Sequence, residues 1–364
     1  MNPKLIFINR YFHPDHSATS QLLTELAVEL VASGWSVRVV TGRQLYDDPH
    51  ARLARGESWN GVRVERVWST RFGRAQMWGR AFDYLSFFFG AGLEILRIAR
   101  RGDVIVALTD PPLISAAAVL AAKWRGAYLI HWIQDVFPEI AQQLRIPSAA
   151  LMGKWLVRLR NAALDHAYCN IVLGERMRAY LASQGIARAK IALIPNWANA
   201  TAIQPKPAPH NVLRSEWRLG QALVVGYSGN MGRAHEFTTL MGAINALQNE
   251  PSIQFLLIGD GFHKVRLQEE ARRKNLRNIR FIDYQPRVRL AESLSAIDVH
   301  IVSLLPALEG LIVPTNSAVR LRPGGRSSSS AKTAKSRARY AGRVRSNGSG
   351  RRCHGLDPSH PRVT

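Results

Sequence analysis

Short apolar runs alternate with amphipathic stretches along most of the chain. Lys4–Ile8 (KLIFI) predicts a buried strand, and the polar loop YFHPDHSATS follows it. A helix from about Thr19 to Ser33 then sets Leu22, Leu23, Leu26, Leu30 and Val31 on one face, with Gly34 closing it. Val37–Thr41 reads as the next strand, and Val62, Val64 and Val67 as another behind the Asn60-Gly61 turn. Asp103–Leu108 and Tyr128–Ile133 are further strands, with a helix over Leu113–Trp124 between them. Cys169–Leu173 and Lys190–Ile194 flank a helix over Glu175–Gln184 that Gly185 ends. The alternation resumes with strands at Leu223–Gly226, Ile253–Ile258, Ile279–Ile282 and Val299–Val302. Strand–helix alternation of this kind predicts an α/β chain with doubly wound parallel sheets.

Between the two series lies ATAIQPKPAPH, rich in proline and without periodicity, which reads as a linker. The expected division is a first domain over 1–198, a linker over 199–212, a second domain over 213–316 and a tail over 317–364. A length of 364 residues suits two domains that each bury a core.

Composition changes this picture only at the tail. The 46% hydrophobic content is that of a globular protein. The net charge of +23 is concentrated: 317–364 holds twelve Lys/Arg and one Asp, leaving +12 for the rest. Cys169 and Cys353 have no metal-ligand spacing and suggest no disulfide framework, so a reducing compartment is expected. No signal-peptide pattern precedes the first strand. The apolar stretches 81–99 and 104–122 are interrupted by Asp83 and Glu94 and by Asp110-Pro111-Pro112, whereas a span needs about 20 mostly apolar residues. Trp78–Arg101 is both aromatic and basic. It reads as a core helix, with an interfacial lipid patch as the rival.

The candidate chemistry stands at the carboxyl ends of strands, where open α/β sheets bind ligands. VVGYSGNMGRAHE is the focal stretch. An apolar run enters a turn with Gly226, Gly229 and Gly232, and Arg233 precedes a helical pattern through Leu240, Ile244 and Leu247. Free N–H groups and the positive end of a helix meet there, a seat for phosphate or diphosphate. An ordinary βα turn is the alternative. Gly259-Asp260-Gly261 is a second tight turn. Asp110 and Asp135 follow strands and either face a cleft or cap helices; Glu139, one helical turn on, favours function for Asp135. Glu309 stands alone among apolar residues, where a carboxylate suits sugar hydroxyls.

In order, YFHPDHSAT with the helix and strand behind it, TDPPL, HWIQDVFPE, ALIPNW, GYSGNMGRAHEF, LLIGDGF and LEGLIVP carry a resemblance over residues 3 to 315. The chain resembles the retaining glycosyltransferases of family 4, which have two Rossmann-like domains in the GT-B architecture, and among them the bacterial colanic-acid, capsule and O-antigen enzymes. The resemblance implies a nucleotide-sugar donor on the second domain and a lipid-linked saccharide acceptor on the first. It assigns the donor to Gly229, Asn230, Arg233, Gly259, Gly261 and Ser17, and the catalysis to Glu309 and Asp135. Ser17 and Ala18 stand where many relatives carry glycines. No metal and no cofactor beyond the donor substrate are expected, since Arg and a helix end would meet the leaving diphosphate. A cytoplasmic location at the surface of the inner membrane would follow.

After Thr315 the pattern changes. From Ser317 onward there is no Ile, Phe, Trp or Met. The family continues with a lysine, a helix ending A-A-G-R-P, an apolar strand and an acidic loop; here stands NSAVRLRPGGRSSSSAKTAKSRARY. If each codon begins one base earlier, Gly324-Gly325-Arg326 can become G-R-P, Ser327–Ser330 four apolar residues and Ala331-Lys332 G-E. The expectation is a shifted reading frame near Asn316, an incomplete second domain and a disordered basic tail. A genuine basic arm for nucleic acid or anionic lipid is the alternative. Against the transferase stands a catalytically inactive, truncated member kept as a binding or scaffold subunit. No specific nucleic-acid partner is expected, because residues 1–316 lack a recurring basic–aromatic motif.

Overall fold

The structure, a computed structural model, describes residues 3–72, 77–197, 204, 206–314 and 326–329. The described chain divides into two compact units that part between Pro195 and Asn196, and Gly310–Val313 belongs to the first. That short segment was expected in the second domain. It joins the first unit because its backbone pairs there: Val136 N donates to Leu311 O (2.9 Å), and Asp135 and Ile312 form an antiparallel bridge.

In the first unit the elements run β1 (Lys4–Ile8), α1 (Ala18–Ala32), β2 (Ser36–Thr41), β3 (Gly56–Trp59), β4 (Val62–Arg66), α2 (Met77–Ile98) and β5 (Val104–Ala107). They continue with α3 (Ile114–Arg125), β6 (Tyr128–Ile133), α4 (Glu139–Gln143), α5 (Pro147–His166), β7 (Cys169–Val172), α6 (Glu175–Ser183) and β8 (Ile191–Leu193). The eight strands lie in the order β3-β4-β2-β1-β5-β6-β7-β8. All pairs are parallel except the β3–β4 hairpin, which turns at Asn60 and Gly61, both at positive φ. The polar GESW of β3 and the long α5 are not announced by the apolar runs. Strand order reverses between β1 and β5. Ile6, Ile8 and Ile105 of these strands pack against Phe87, Ala91 and Ile95 of α2 and the small Ala118 and Ala121 of α3. Small residues on α3 let both helices close on the sheet.

The second unit holds α7 (Val212–Glu216), β9 (Leu223–Ser228), α8 (Thr238–Ala246), β10 (Ile253–Ile258), α9 (Lys264–Arg273), β11 (Ile279–Ile282), α10 (Leu290–Ser295), β12 (Val299–Val302) and β13 (Arg326–Ser329). Its sheet is parallel in the order β11-β10-β9-β12-β13, the Rossmann pattern with its reversal between β9 and β12. Alternate residues feed the two faces: Tyr227 and Leu257 join the core under α8 and α9, whereas Val224, Leu256 and Ile258 pack with Leu213 and Ile297 on the other side. Within the expected linker, Lys206 N donates to Ser295 Oγ (2.9 Å) and Asn211 Nδ2 to Glu292 O (2.8 Å); 198–203 and 205 lie outside the described residues.

Two expectations need correction here. Gly226 is no turn residue but lies inside β9, where a Cβ would stand 2.6 Å from Ile297 Cδ1 and 2.8 Å from Leu256 O. The tail from 317 was expected to be disordered throughout, yet Arg326–Ser329 form β13, paired parallel to β12 with Val299 opposite Arg326 and Val302 opposite Ser329. The rest of the tail, where the frame-shift expectation also falls, lies outside the described residues.

Candidate functional site

In the second unit two glycine turns interlock at the carboxyl ends of β9 and β10. Gly229 N donates to Ile258 O (2.9 Å), Met231 N to Asp260 O (2.7 Å) and His263 N to Met231 O (3.0 Å). Gly259 and Gly261 have φ of 133° and 137°. A Cβ on Gly259 would stand 2.1 Å from Gly229 O, and one on Gly261 2.3 Å from Asn230 Oδ1. The facing turn therefore demands both glycines, through the Gly229 backbone in one case and through Asn230 with the Met231 backbone (2.8 Å) in the other. Tyr227 supports the first turn from below, its hydroxyl donating to Asn230 O (2.7 Å).

Asn230 and Arg233 are exposed at the crest of that turn. The Arg233 guanidinium lies over the Phe262 ring, 3.8 Å from its centroid, at the rim of a cavity of about 710 Å³ that His235, His263, Arg266 and Leu305 help to line. Stacking holds the cation in place without neutralising it. Burial, and then the charges of Arg266 and Arg233, keep His263 below its ordinary pKa, so the positive charge at this rim rests with the arginines.

The loop after β12 is bound to the same turn. His235 Nδ1 lies 2.8 Å from Ser303 O, Glu236 N donates to Ser303 Oγ (2.8 Å), and Leu305 N to Ala234 O (2.9 Å). This loop leads through the single turn Pro306–Leu308 to Glu309, which is half-buried. The Arg233 turn and the Glu309 loop thus emerge from β9 and β12, the two strands between which the sheet order reverses. Glu236 steadies α8 by accepting from Thr238 N and Thr239 N (2.5 and 3.1 Å). Burial would raise its pKa, but the hydrogen bonds from Thr239 and Thr238 outweigh it and hold the carboxyl low.

The reversal point of the first unit gathers the other candidates. Arg10 N, after β1, donates to Asp110 O, after β5 (2.8 Å). Ser17 precedes α1. Its N donates to Asp15 Oδ1 (2.8 Å), and its Oγ is buried with no hydrogen-bond partner in the protein. Asp135 keeps an open face to solvent, yet protein crowds it closely. Desolvation, and then the Asp110 carboxylate, push its carboxyl from 3.8 up to about 6. Neither aspartate caps a helix: Leu113 stands at the cap position of α3 and Pro138 at that of α4.

Glu139 does not join them. It is buried in a two-pronged pair with Arg160 of α5 (2.7 and 2.9 Å) and accepts from the Tyr180 hydroxyl (2.7 Å). Burial, followed by the hydrogen bond and charge of Glu139, pushes the Tyr180 hydroxyl up to about 12. The support that Glu139 lent to Asp135 therefore falls away, and Asp110 takes its place as the neighbouring carboxylate.

The residues that sequence reasoning missed are those that hold the loops. Asp15 pins both Ser17 N and Tyr46 N (2.8 and 2.5 Å), and Ser303 ties the two loops of the second unit. Asp15 was legible as an Asx residue two positions before a helix cap; Ser303 left no signal.

Comparison with known proteins now adds a family. Residues 18–197 match the glycosyl transferase 4-like domain. The chain is 24% identical over 342 residues to WcaI of Escherichia coli K12, named as a glycosyl transferase of colanic acid biosynthesis, covering 88% of this chain and 82% of that one. Among solved structures it resembles sucrose-phosphate synthase from Thermosynechococcus elongatus, with a TM-score of 0.65 and 18% identity over 82% of this chain and 75% of that one. HepE from Anabaena, in complex with UDP-glucose, has a TM-score of 0.57 and 15% identity over 83% and 74%. These two likenesses show the fold. Residues 18–197 thus belong to the glycosyl transferase 4-like domain family, and the chain is built of two Rossmann-like α/β units of the GT-B glycosyltransferase class.

Proposed function

We propose that this glycosyltransferase moves a sugar from a nucleotide-sugar donor to a lipid-linked saccharide acceptor in the assembly of a bacterial surface polysaccharide, at the cytoplasmic face of the inner membrane. One observation carries the donor assignment: the Arg233 turn and the Glu309 loop are hydrogen-bonded together at the reversal point of the second unit's sheet. The UDP-glucose held by HepE and the colanic acid role in WcaI's name support the donor and product classes.

In this reading Arg233 and the backbone N–H groups of Asn230 and Gly232 meet the diphosphate, those of Gly229 and Met231 being spent on Ile258 O and Asp260 O, while Gly259 and Gly261 let the neighbouring loop support that turn. Glu309 stabilises positive charge developing on the donor sugar. On the first unit, Ser17 Oγ offers a hydrogen bond to substrate, and Asp135 accepts the proton of the acceptor hydroxyl. The acceptor oxygen bonds to the anomeric carbon on the same face from which the diphosphate departs, and the electron pair of the broken carbon–oxygen bond leaves with the nucleotide. Net retention at that carbon is part of the proposal. Rate enhancement then rests on positioning and on charge stabilisation of the leaving group.

The test is a screen of UDP-, GDP- and dTDP-sugars with extracted bacterial lipids, read as nucleoside diphosphate release and lipid glycosylation. Arg233→Ala should weaken donor binding, and Glu309→Ala should abolish turnover while binding persists. Donor binding without turnover by the unaltered chain would favour the inactive scaffold instead. No binding of any nucleotide-sugar would overturn the proposal.

A further inference from the structure

Helix α2 is apolar on two sides. Asp83, Phe87, Ala91 and Ile95 face inward and are buried. On the opposite side Trp78, Phe82, Leu85, Phe89 and Leu93, spaced three or four residues apart, are 52 to 80% exposed. The surface continues past this helix. Arg125 Nε donates to Ala99 O (2.7 Å), which ties the end of α3 to the end of α2, and α3 exposes Leu120 and Trp124. An apolar patch of this extent on a folded unit marks an interaction surface.

Its border identifies the occupant. Arg80, Lys123 and Arg125 edge the band and are exposed, whereas the two carboxylates of α2 are already engaged: Asp83 is buried against Arg10 (3.5 Å), and Glu94 pairs with Arg97. Aromatic rings beside basic groups suit the interface of an anionic bilayer, where rings enter the headgroup–acyl boundary and cationic side chains meet lipid phosphates. Among the described residues no helix is long and apolar enough to cross a membrane, so the fitting geometry is a helix lying along the surface.

We propose that the outer face of α2, extended by Trp124 of α3, is the surface by which the first unit docks on anionic lipid. The docking also orients the site. Because α2 leads from the carboxyl end of β4 and is pinned through Asp83 to Arg10, its Trp78 end lies at the edge of the sheet that carries Ser17, Asp110 and Asp135. A lipid-borne acceptor then arrives beside those loops. The inference deepens the acceptor reading above but is tested without donor or acceptor.

The full chain is mixed with vesicles of phosphatidylcholine alone or with 30% phosphatidylglycerol, and binding is read by co-sedimentation and by quenching of tryptophan with brominated lipid. The expected result is at least tenfold tighter binding to the anionic vesicles, lost in Trp78→Ser/Phe89→Ser/Trp124→Ser, whose positions are open enough for the melting temperature to stay unchanged. Arg80→Glu/Lys123→Glu should lose the anionic preference while folding normally. Equal binding by the triple variant overturns the proposal. So does a concentration-dependent dimer that the triple variant abolishes, since the band would then be filled by a second copy. Nucleotide-sugar binding in lipid-free buffer, measured on the same proteins, separates failure of this surface from failure of the transferase reading.

Discussion

Replacing Asp135 by Asn should make the protein more stable, and increasingly so as pH rises. Desolvation and the Asp110 carboxylate raise the folded-state value from 3.8 to about 6. At about 1.36 kcal/mol per pH unit this amounts to an upper bound of about 3 kcal/mol of unfavourable ionisation energy. The residue retains an open face, and solvent screening reduces the figure to about 1–2 kcal/mol. The sign follows from proton counting. Below about pH 4 the carboxyl holds its proton in both states, and acid and amide are equivalent. Between about 4 and 6 the unfolded chain releases the proton while the folded chain keeps it, so stability falls with rising pH. Above about 6 the deficit is complete. Urea unfolding of both proteins from pH 4 to pH 8, followed by circular dichroism, should give curves that coincide at the acid end and separate by about 1–2 kcal/mol at pH 8, with Asp135→Asn the stabler. Asp110→Asn should recover part of the same gain by removing the neighbouring charge. A pH-independent difference, or a wild type more stable than the amide at pH 8, would refute the reasoning. A gain in stability joined to a loss of turnover would mark a carboxylate retained for chemistry rather than for the fold.

Three further outcomes can be checked on the same material. Arg160→Met strands Glu139 in the interior and should cost about 3–5 kcal/mol, read as a large drop in melting temperature. Gly259→Ala forces a methyl to within 2.1 Å of Gly229 O and should destabilise the second unit by about 1–3 kcal/mol or more, whereas Gly242→Ala, in open space within α8, should stabilise by about 0.5–1 kcal/mol in parallel melts. Glu236→Ala removes the acceptor for Thr238 N and Thr239 N and should cost about 1 kcal/mol at pH 7. Because that carboxyl is held below 4.5 in the folded protein, its contribution is full above 4.5 and should vanish from unfolding curves as pH falls through the lower folded-state value.

The frame of both units was legible because a parallel strand covered on both faces is written as an uninterrupted apolar run, as in FLLI of β10 or VIV of β5. GESW of β3 escaped because an antiparallel edge needs no such run. Glycine positions were readable but their reasons were not always local. Gly226 looks like part of a turn until Ile297, seventy-one residues on, is found filling the space of its missing side chain. The charged residues were hardest to read. Glu139 and Asp135 stand four apart in one loop-and-helix stretch, yet one is neutralised by Arg160 from a distant helix and the other lies beside the like charge of Asp110. A buried arginine on α5 looks in the sequence like any solvent-facing charge. Contacts of that range are decided by the packed sheet and leave no trace in spacing.

A chain that leaves its first unit at Pro195 and re-enters it at Gly310 has consequences for dissection. A fragment ending at Pro195 would retain the whole eight-stranded sheet, but the Val136 amide would lose Leu311 and the Asp135 backbone would lose Ile312. Its weak point would be the very loop that holds the candidate base. Appending Gly310–Val313 to such a fragment through a flexible linker restores the missing strip, so domain-swapped hybrids with related transferases should exchange this tetrapeptide along with the first 195 residues.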